Sequence, residues 1–304
     1  MANQLNDIRD DEFRVIGQHR PLPETSISEP ERKRKVGWVA LILVALLGGA
    51  VWLFWPKTPK PPEGVFDPVP PKPTVIAPKP KLLGSVVDSL QPAFAEKLDT
   101  TINDVVLSLY IPHNAAAPVL TVGAPDKETR QAVMAFQAAD IRADNREILG
   151  SFVLKGKILA KGTPKAGYCA IIDGKVTVGV AESTSLFEEA TEKDGYFFRQ
   201  FSLVKNGALE ENAQIKNKTM RKALCDRDGQ IFVAVSETDE SMHDFAAALV
   251  DLGVDNAVYL VGSHSAFGWY RNEAGEQILF GADQHRQSYK NENYIVWVQN
   301  EYLF

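Results

Sequence analysis

Residues 221–237 read RKALCDRDGQIFVAVSE, and residues 167–183 read GYCAIIDGKVTVGVAES. Each is an apolar run, an Asp-Gly pair and a second run of alternating apolar residues: Ile231, Val233 and Val235 in one, Val176, Val178 and Val180 in the other. Asp-Gly between two such runs predicts a tight hairpin, because both turn positions take positive φ, which Gly adopts freely and Asp tolerates. Each hairpin has a cysteine shortly before its turn, Cys169 and Cys225. This weak internal repeat predicts a sheet built from related hairpins. The two cysteines suit either a disulfide outside the cytosol or two simply buried thiols.

The flanking sequence adds further elements. Residues 104–111 (DVVLSLYI), 119–123, 195–204 (GYFFRQFSLV), 256–261 (NAVYLV), 266–271 and 294–298 read as strands. Residues 148–154 and 157–160 flank Lys155-Gly156 as another hairpin. Val133, Phe136 and Gln137 follow Arg130 at helical spacing, which predicts a helix over 129–138 with Asp126 as its cap. The clearest amphipathic helix covers 240–252, with Met242, Phe245, Ala246, Leu249 and Leu252 on one face. Thr238 or Asp239 can cap its start, and Gly253 can end it. Together these elements predict an α+β domain, a mixed sheet of hairpins with two or three helices.

The chain has 304 residues and a formal net charge of -6, unevenly distributed. Residues 36–55 (VGWVALILVALLGGAVWLFW) carry no charge and hold Trp38, Trp52 and Trp55 near the two ends. At ~1.5 Å per residue such a run matches the thickness of a bilayer core, so one transmembrane helix is expected there. Arg32, Lys33, Arg34 and Lys35 precede it directly. The positive-inside rule then places residues 1–35 as a cytoplasmic tail and the rest in the periplasm or outside the cell. Residues 56–81 hold ten of the 18 prolines and predict a stiff polyproline stalk. Residues 82–304 form the expected folded domain, with a net charge of -9. An acidic domain of this kind argues against nucleic acid as a partner, since phosphate contacts need clustered Lys and Arg.

Three stretches, FRQFSLVKNGAL, TMRKALCDRDGQIFVAVSE and SMHDFAAALVDLGVDNAVYLVGSHSAFGWY, resemble the phosphodiester glycosidase family. The resemblance spans residues 139–271 and follows that family's order of motifs. These are a strand ending P-L-L-V-x-x-G, an R-T-A-x-G strand with a following D-G turn, a helix with an L-G end, and a strand ending L-D-G-G-G-S. The resemblance implies hydrolysis of a glycosyl phosphodiester, with a phosphodiester-linked sugar or envelope glycan as partner. Two departures stand out. The family's N-G-G-F-F motif falls on 138–144, here AADIRAD, and L-D-G-G-G-S falls on Leu260-Val261-Gly262-Ser263-His264-Ser265. The acid position is thus Val261 and a single glycine remains, so a non-catalytic glycan- or protein-binding module on the same fold is the alternative expectation.

Arg221 matches the arginine of R-T-A-x-G, whose threonine and glycine are Lys222 and Cys225 here. A guanidinium is suited to grip a phosphate, since its planar fork donates twice. Ser263 and Ser265 would present hydroxyls to the same substrate, and His264 could act as general acid or base near neutral pH. Asp140 and Asp144 are the candidate carboxylates, because glycoside chemistry needs acid and base groups about one bond. His113, His243 and His285 show no HxH or HxxxH spacing, so neither metal nor cofactor is expected.

Overall fold

A computed structural model describes residues 91–125, 131–163, 165–210, 217–281 and 289–299. The chain divides into residues 1–74 and 75–304, and all described residues belong to the second unit. The expected tail, transmembrane run and stalk, and His285, lie outside the described residues. Among the described residues no helix is long and apolar enough to cross a membrane.

Three sheets carry the domain. The first has seven strands, in the order β1 (Phe94–Ile102), β2 (Val105–His113), β13 (Gln230–Ser236), β12 (Lys222–Arg227), β14 (Asn256–Leu260), β10 (Ser202–Lys205) and β11 (Ala208–Leu209). The second runs β16 (Gln277–Phe280), β15 (Gly268–Arg271), β4 (Ala132–Gln137), β17 (Asn293–Val298) and β3 (Val119–Val122). The third runs β6 (Lys157–Ala160), β5 (Phe152–Leu154), β9 (Tyr196–Gln200), β7 (Gly167–Ile172) and β8 (Lys175–Val180). Two helices join them among the described residues, α1 (Leu186–Glu192) and α2 (Met242–Leu252).

The α+β expectation is therefore overturned. The domain is mostly β, and every strand pairing among the described residues is antiparallel rather than mixed. The stretch expected as a helix over 129–138 contains β4, which lies between β15 and β17 and is buried at all six positions. A strand covered on both faces loses the apolar–polar alternation that identifies strands, so its apolar residues mimic a helical period. The two look-alike hairpins also separate: β7–β8 lies in the third sheet and β12–β13 in the first. Their turns are as expected, with positive φ at Asp173 and Gly174 and again at Asp228 and Gly229.

Phe136 of the second sheet, Phe152 and Phe198 of the third, and Leu224 and Val258 of the first pack into one buried cluster where the sheets meet. Full burial of each such side chain is worth about 1.5–3 kcal/mol, so this junction is a principal source of stability. Helix α2 covers the other face of the first sheet, setting Phe245, Leu249 and Leu252 among Leu109, Ala223 and Phe232. Its cap is Ser241, whose hydroxyl accepts from the Asp244 amide at 3.0 Å, in place of Thr238 or Asp239. Gly253 ends it in the left-handed region, as expected. Cys169 and Cys225 are free and fully buried in different clusters, and burial is the main cause that pushes both thiols upward.

Candidate functional site

The register of the first sheet builds the site. Lys222 at the start of β12 pairs with Val235 of β13 on one side and Leu260 of β14 on the other. Arg221, one residue earlier, therefore stands beside Ser236 and the 261–262 segment. Its amide donates to the Ser236 hydroxyl at 2.7 Å, and the Ser263 amide donates to the Met220 carbonyl at 2.8 Å. Arg221 and the 262–265 turn thus share one end of one sheet.

Arg221 is 3% exposed. Its Nε donates to the Glu240 carbonyl at 2.9 Å, Nη2 to the Asn217 carbonyl and side-chain oxygen, and Nη1 to the Tyr259 hydroxyl at 3.4 Å. All three nitrogens of the guanidinium thus donate to oxygens of the domain. Every oxygen that it meets among the described residues is neutral, and no carboxylate pairs with it there. A buried charge without a counter-ion costs several kcal/mol, which neutral acceptors offset only in part.

Tyr259 links this arginine to the rest of the site. Burial raises its hydroxyl pKa above the ordinary tyrosine value, the nearby Arg221 charge pulls it back, and the Asp140 carboxylate pushes it up again. Asp140 is therefore close enough to be felt at the same hydroxyl. The Gly262 amide donates to that hydroxyl too. A Cβ at residue 262 would lie 2.3 Å from the Tyr259 oxygen and 2.5 Å from the Met220 carbonyl oxygen, so only glycine lets the turn close here. This explains the single glycine kept from the family's cluster.

Asp140 follows β4 and accepts an ion pair from Lys165 Nζ at 2.9 Å, with side-chain exposures of 20% and 7%. Lys165 Nζ also donates to Gln200 Oε1 and lies 4.3 Å from the centre of the Phe201 ring. The Val261 amide donates to the Gln137 carbonyl at 3.2 Å, and the Tyr259 amide to the Phe201 carbonyl at 2.9 Å. The ends of β4, β9 and β14, one from each sheet, therefore meet at this point.

The other sequence candidates fall outside this junction. Asp144 is an exposed loop carboxylate clamped by Arg142 at 2.8 and 2.6 Å, and that contact holds it below the usual carboxylate range. His264 stands on the outer side of the turn, bonded to Asp239 at 2.7 Å with both side chains more than half exposed. Ser263 and Ser265 bond to each other at 2.9 Å in solvent, Ser263 at φ +76°. Lys222, on the inner face, is 2% exposed, donates to the Ala266 carbonyl at 3.0 Å and lies 5.0 Å from the Phe280 ring centre. Burial pulls its ammonium down to about 7. Among the described residues no three His, Cys, Asp or Glu side chains converge as a metal site. A cleft of about 650 Å³ opens at the opposite end of β12, beside Asp226, Asn256 and Trp297, and none of the sequence candidates lines it.

Sequence reasoning missed Lys165, Gln200 and Tyr259. Tyr259 had a signal, since Ala257 and Tyr259 alternate with Val258 on a strand. Gln200 lies inside the stretch read as a single strand over 195–204, which the structure divides at Phe201 into β9 and β10 of different sheets. Lys165 carried no signal of its own.

Three antiparallel sheets that bring a buried cation and a carboxylate towards one junction define a mostly β domain. Within that class, the chain belongs to the phosphodiester glycosidase family: the family profile matches residues 130–295, a wider span than the motifs alone suggested. The fold is similar to the zebrafish N-acetylglucosamine-1-phosphodiester alpha-N-acetylglucosaminidase catalytic domain, auto-inhibited by its pro-peptide, at TM-score 0.50 and 14% identity over 72% of this chain and 87% of that one. A hypothetical protein from Synechocystis aligns at TM-score 0.37 and 13% identity over 67% of this chain and 62% of that one. Comparison with curated protein sequences gave no match.

Proposed function

We propose that the domain binds a glycosyl phosphodiester and hydrolyses its sugar–phosphate bond. The observation that carries this reading is the buried Arg221 guanidinium, whose acceptors among the described residues are all neutral oxygens with no carboxylate among them. A phosphate there would supply the missing negative charge and stabilise the departing phosphate monoester. Asp140, oriented by Lys165, would take a proton from the attacking water. His264, backed by Asp239, would exchange protons with solvent at the rim. Asp144 has no part in this arrangement.

The test is release of reducing sugar from the methyl diester of glucose 1-phosphate. Release should occur with the wild-type chain and fall by at least about a hundredfold in Asp140→Asn, the usual worth of a general base. Absence of both release and binding would reject the reading. Binding without release would favour the second reading, a glycan-binding module, which Val261 at the family's acid position and the single Gly262 support. From the uncharged run of residues 36–55 we place the chain in the plasma membrane, tail inside and domain outside. Protease added to intact spheroplasts should then digest the domain and spare residues 1–35, and digestion of the tail instead would reverse the orientation.

A further inference from the structure

We propose that Gln200, held in place by Lys165, is the specificity-determining donor of this site, giving its side-chain N–H to an oxygen of the sugar whose phosphate rests on Arg221. The proposal rests on the phosphodiester reading above.

Gln200 is fully buried. Its Oε1 accepts from Lys165 Nζ and from the Phe201 amide, the latter at 3.0 Å. Two donors on one atom fix which end of the amide is oxygen, so the other end must be the N–H₂ group. That Nε2 has no partner among the described residues. An unmet buried amide donor is costly, and buried polar groups elsewhere in proteins are nearly always paired. A donor kept without a partner, on a side chain that shares Lys165 with the Asp140 carboxylate, is the arrangement expected when a ligand supplies the acceptor.

The support behind Gln200 is rigid. Arg199, the preceding residue, donates from Nη1 to the Lys165 carbonyl at 2.6 Å and to the Ala181 carbonyl at 2.7 Å. Lys165 is thereby held at its backbone by Arg199 and at its ammonium by Asp140, Gln200 and the Phe201 ring. A donor fixed in this way discriminates strongly, since a ligand lacking the acceptor leaves it unpaired. Inorganic phosphate can satisfy Arg221 but offers no sugar oxygen to Gln200. A glycosyl phosphate offers both.

The experiment is calorimetric titration of the full chain with glucose 1-phosphate and with inorganic phosphate. Gln200→Leu removes the donor. Gln200→Glu also removes it but keeps the acceptor for Lys165 and the Phe201 amide, which guards against loss of folding. Both variants should bind glucose 1-phosphate about tenfold more weakly, the worth of one hydrogen bond, and bind inorganic phosphate as wild type does. Arg221→Lys should weaken both probes. In ¹⁵N spectra the Gln200 side-chain pair, identified by its loss in Gln200→Glu, should move with glucose 1-phosphate and stay still with inorganic phosphate. Equal weakening of both probes in the Gln200 variants, or no weakening of either, overturns the assignment while leaving the phosphate site intact. A wild-type chain that binds neither probe overturns the phosphate reading itself, and the role of Gln200 with it.

Discussion

Lys222→Met should stabilise the domain near neutral pH and lose that advantage in alkaline solution. Lys222 is 2% exposed, makes one hydrogen bond, to the Ala266 carbonyl, and burial lowers its pKa from 10.5 to about 7. In the unfolded chain the ammonium keeps its ordinary value. Between pH 7 and 10.5 the unfolded state therefore holds a proton that the folded state has released, and folding stability rises with pH by about 1.4 kcal/mol per unit. Above that window the penalty is gone; below about pH 7 it is complete and constant. At pH 7 it amounts to roughly 4 kcal/mol. Methionine fills similar space without the charge but leaves the Ala266 carbonyl without its donor, a loss of about 1–3 kcal/mol. The net expectation is a gain of about 1–3 kcal/mol for the variant at pH 7 and a loss of similar size near pH 10.5. Urea unfolding followed by tryptophan fluorescence across this range would measure both chains. Other titrating groups are common to the two, so their difference isolates Lys222. Parallel stability curves between pH 7 and 10 would refute the argument.

Gly262→Ala should cost about 1–3 kcal/mol by overpacking against Tyr259 and Met220, and should weaken phosphate binding by shifting the hydroxyl that Arg221 meets; thermal melting and phosphate titration check the two effects. Ser241→Ala removes the cap of α2 and should lower stability by about 1 kcal/mol in urea, with no change in ligand affinity. Phe198→Ala opens the three-sheet junction and should cost about 3–5 kcal/mol, read from the same denaturation curves. Cys169 and Cys225 should resist a thiol reagent in the folded protein and react fully in urea; a rapid native reaction would contradict their burial.

The parts legible in the sequence were those set by local chemistry. The Asp-Gly turns gave both hairpins, because few residue pairs accept positive φ twice. The amphipathic face of α2 gave its position to within two residues. Arg221 and the 262–265 turn could be brought together in advance, since β12 and β14 are joined through one hairpin and one helix. What failed was set by distant packing. The helix expected over 129–138 is β4, and only its two sheet neighbours make it a strand. The strand β1 alternates, but its exposed side carries Lys97, Asp99 and Thr101, so it offers few apolar residues to mark it. Helix α1 has only seven residues, too few for a period to emerge. Lys165, in the loop before β7, joins Asp140 after β4 to Gln200 at the end of β9, so no spacing in the chain links them.

The family profile begins at residue 130, yet β1, β2 and β3 all precede it and β17 runs past its end. These strands are structural members of the same sheets: β2 pairs with β13 along Tyr110, Leu109, Ser108 and Leu107, and β3 pairs with β17 from Val119 to Val122. A fragment cut at the profile's boundaries would leave β13 and β17 as naked borders with unmet amides and carbonyls. It would also strip Leu107, Leu109 and Ile111 from beneath α2. Such borders recruit strands from other molecules, so the shortened chain would clump rather than fold. The folding unit is accordingly longer than the span of the family profile, and its first strands act as a selvedge that keeps the woven sheet from unravelling.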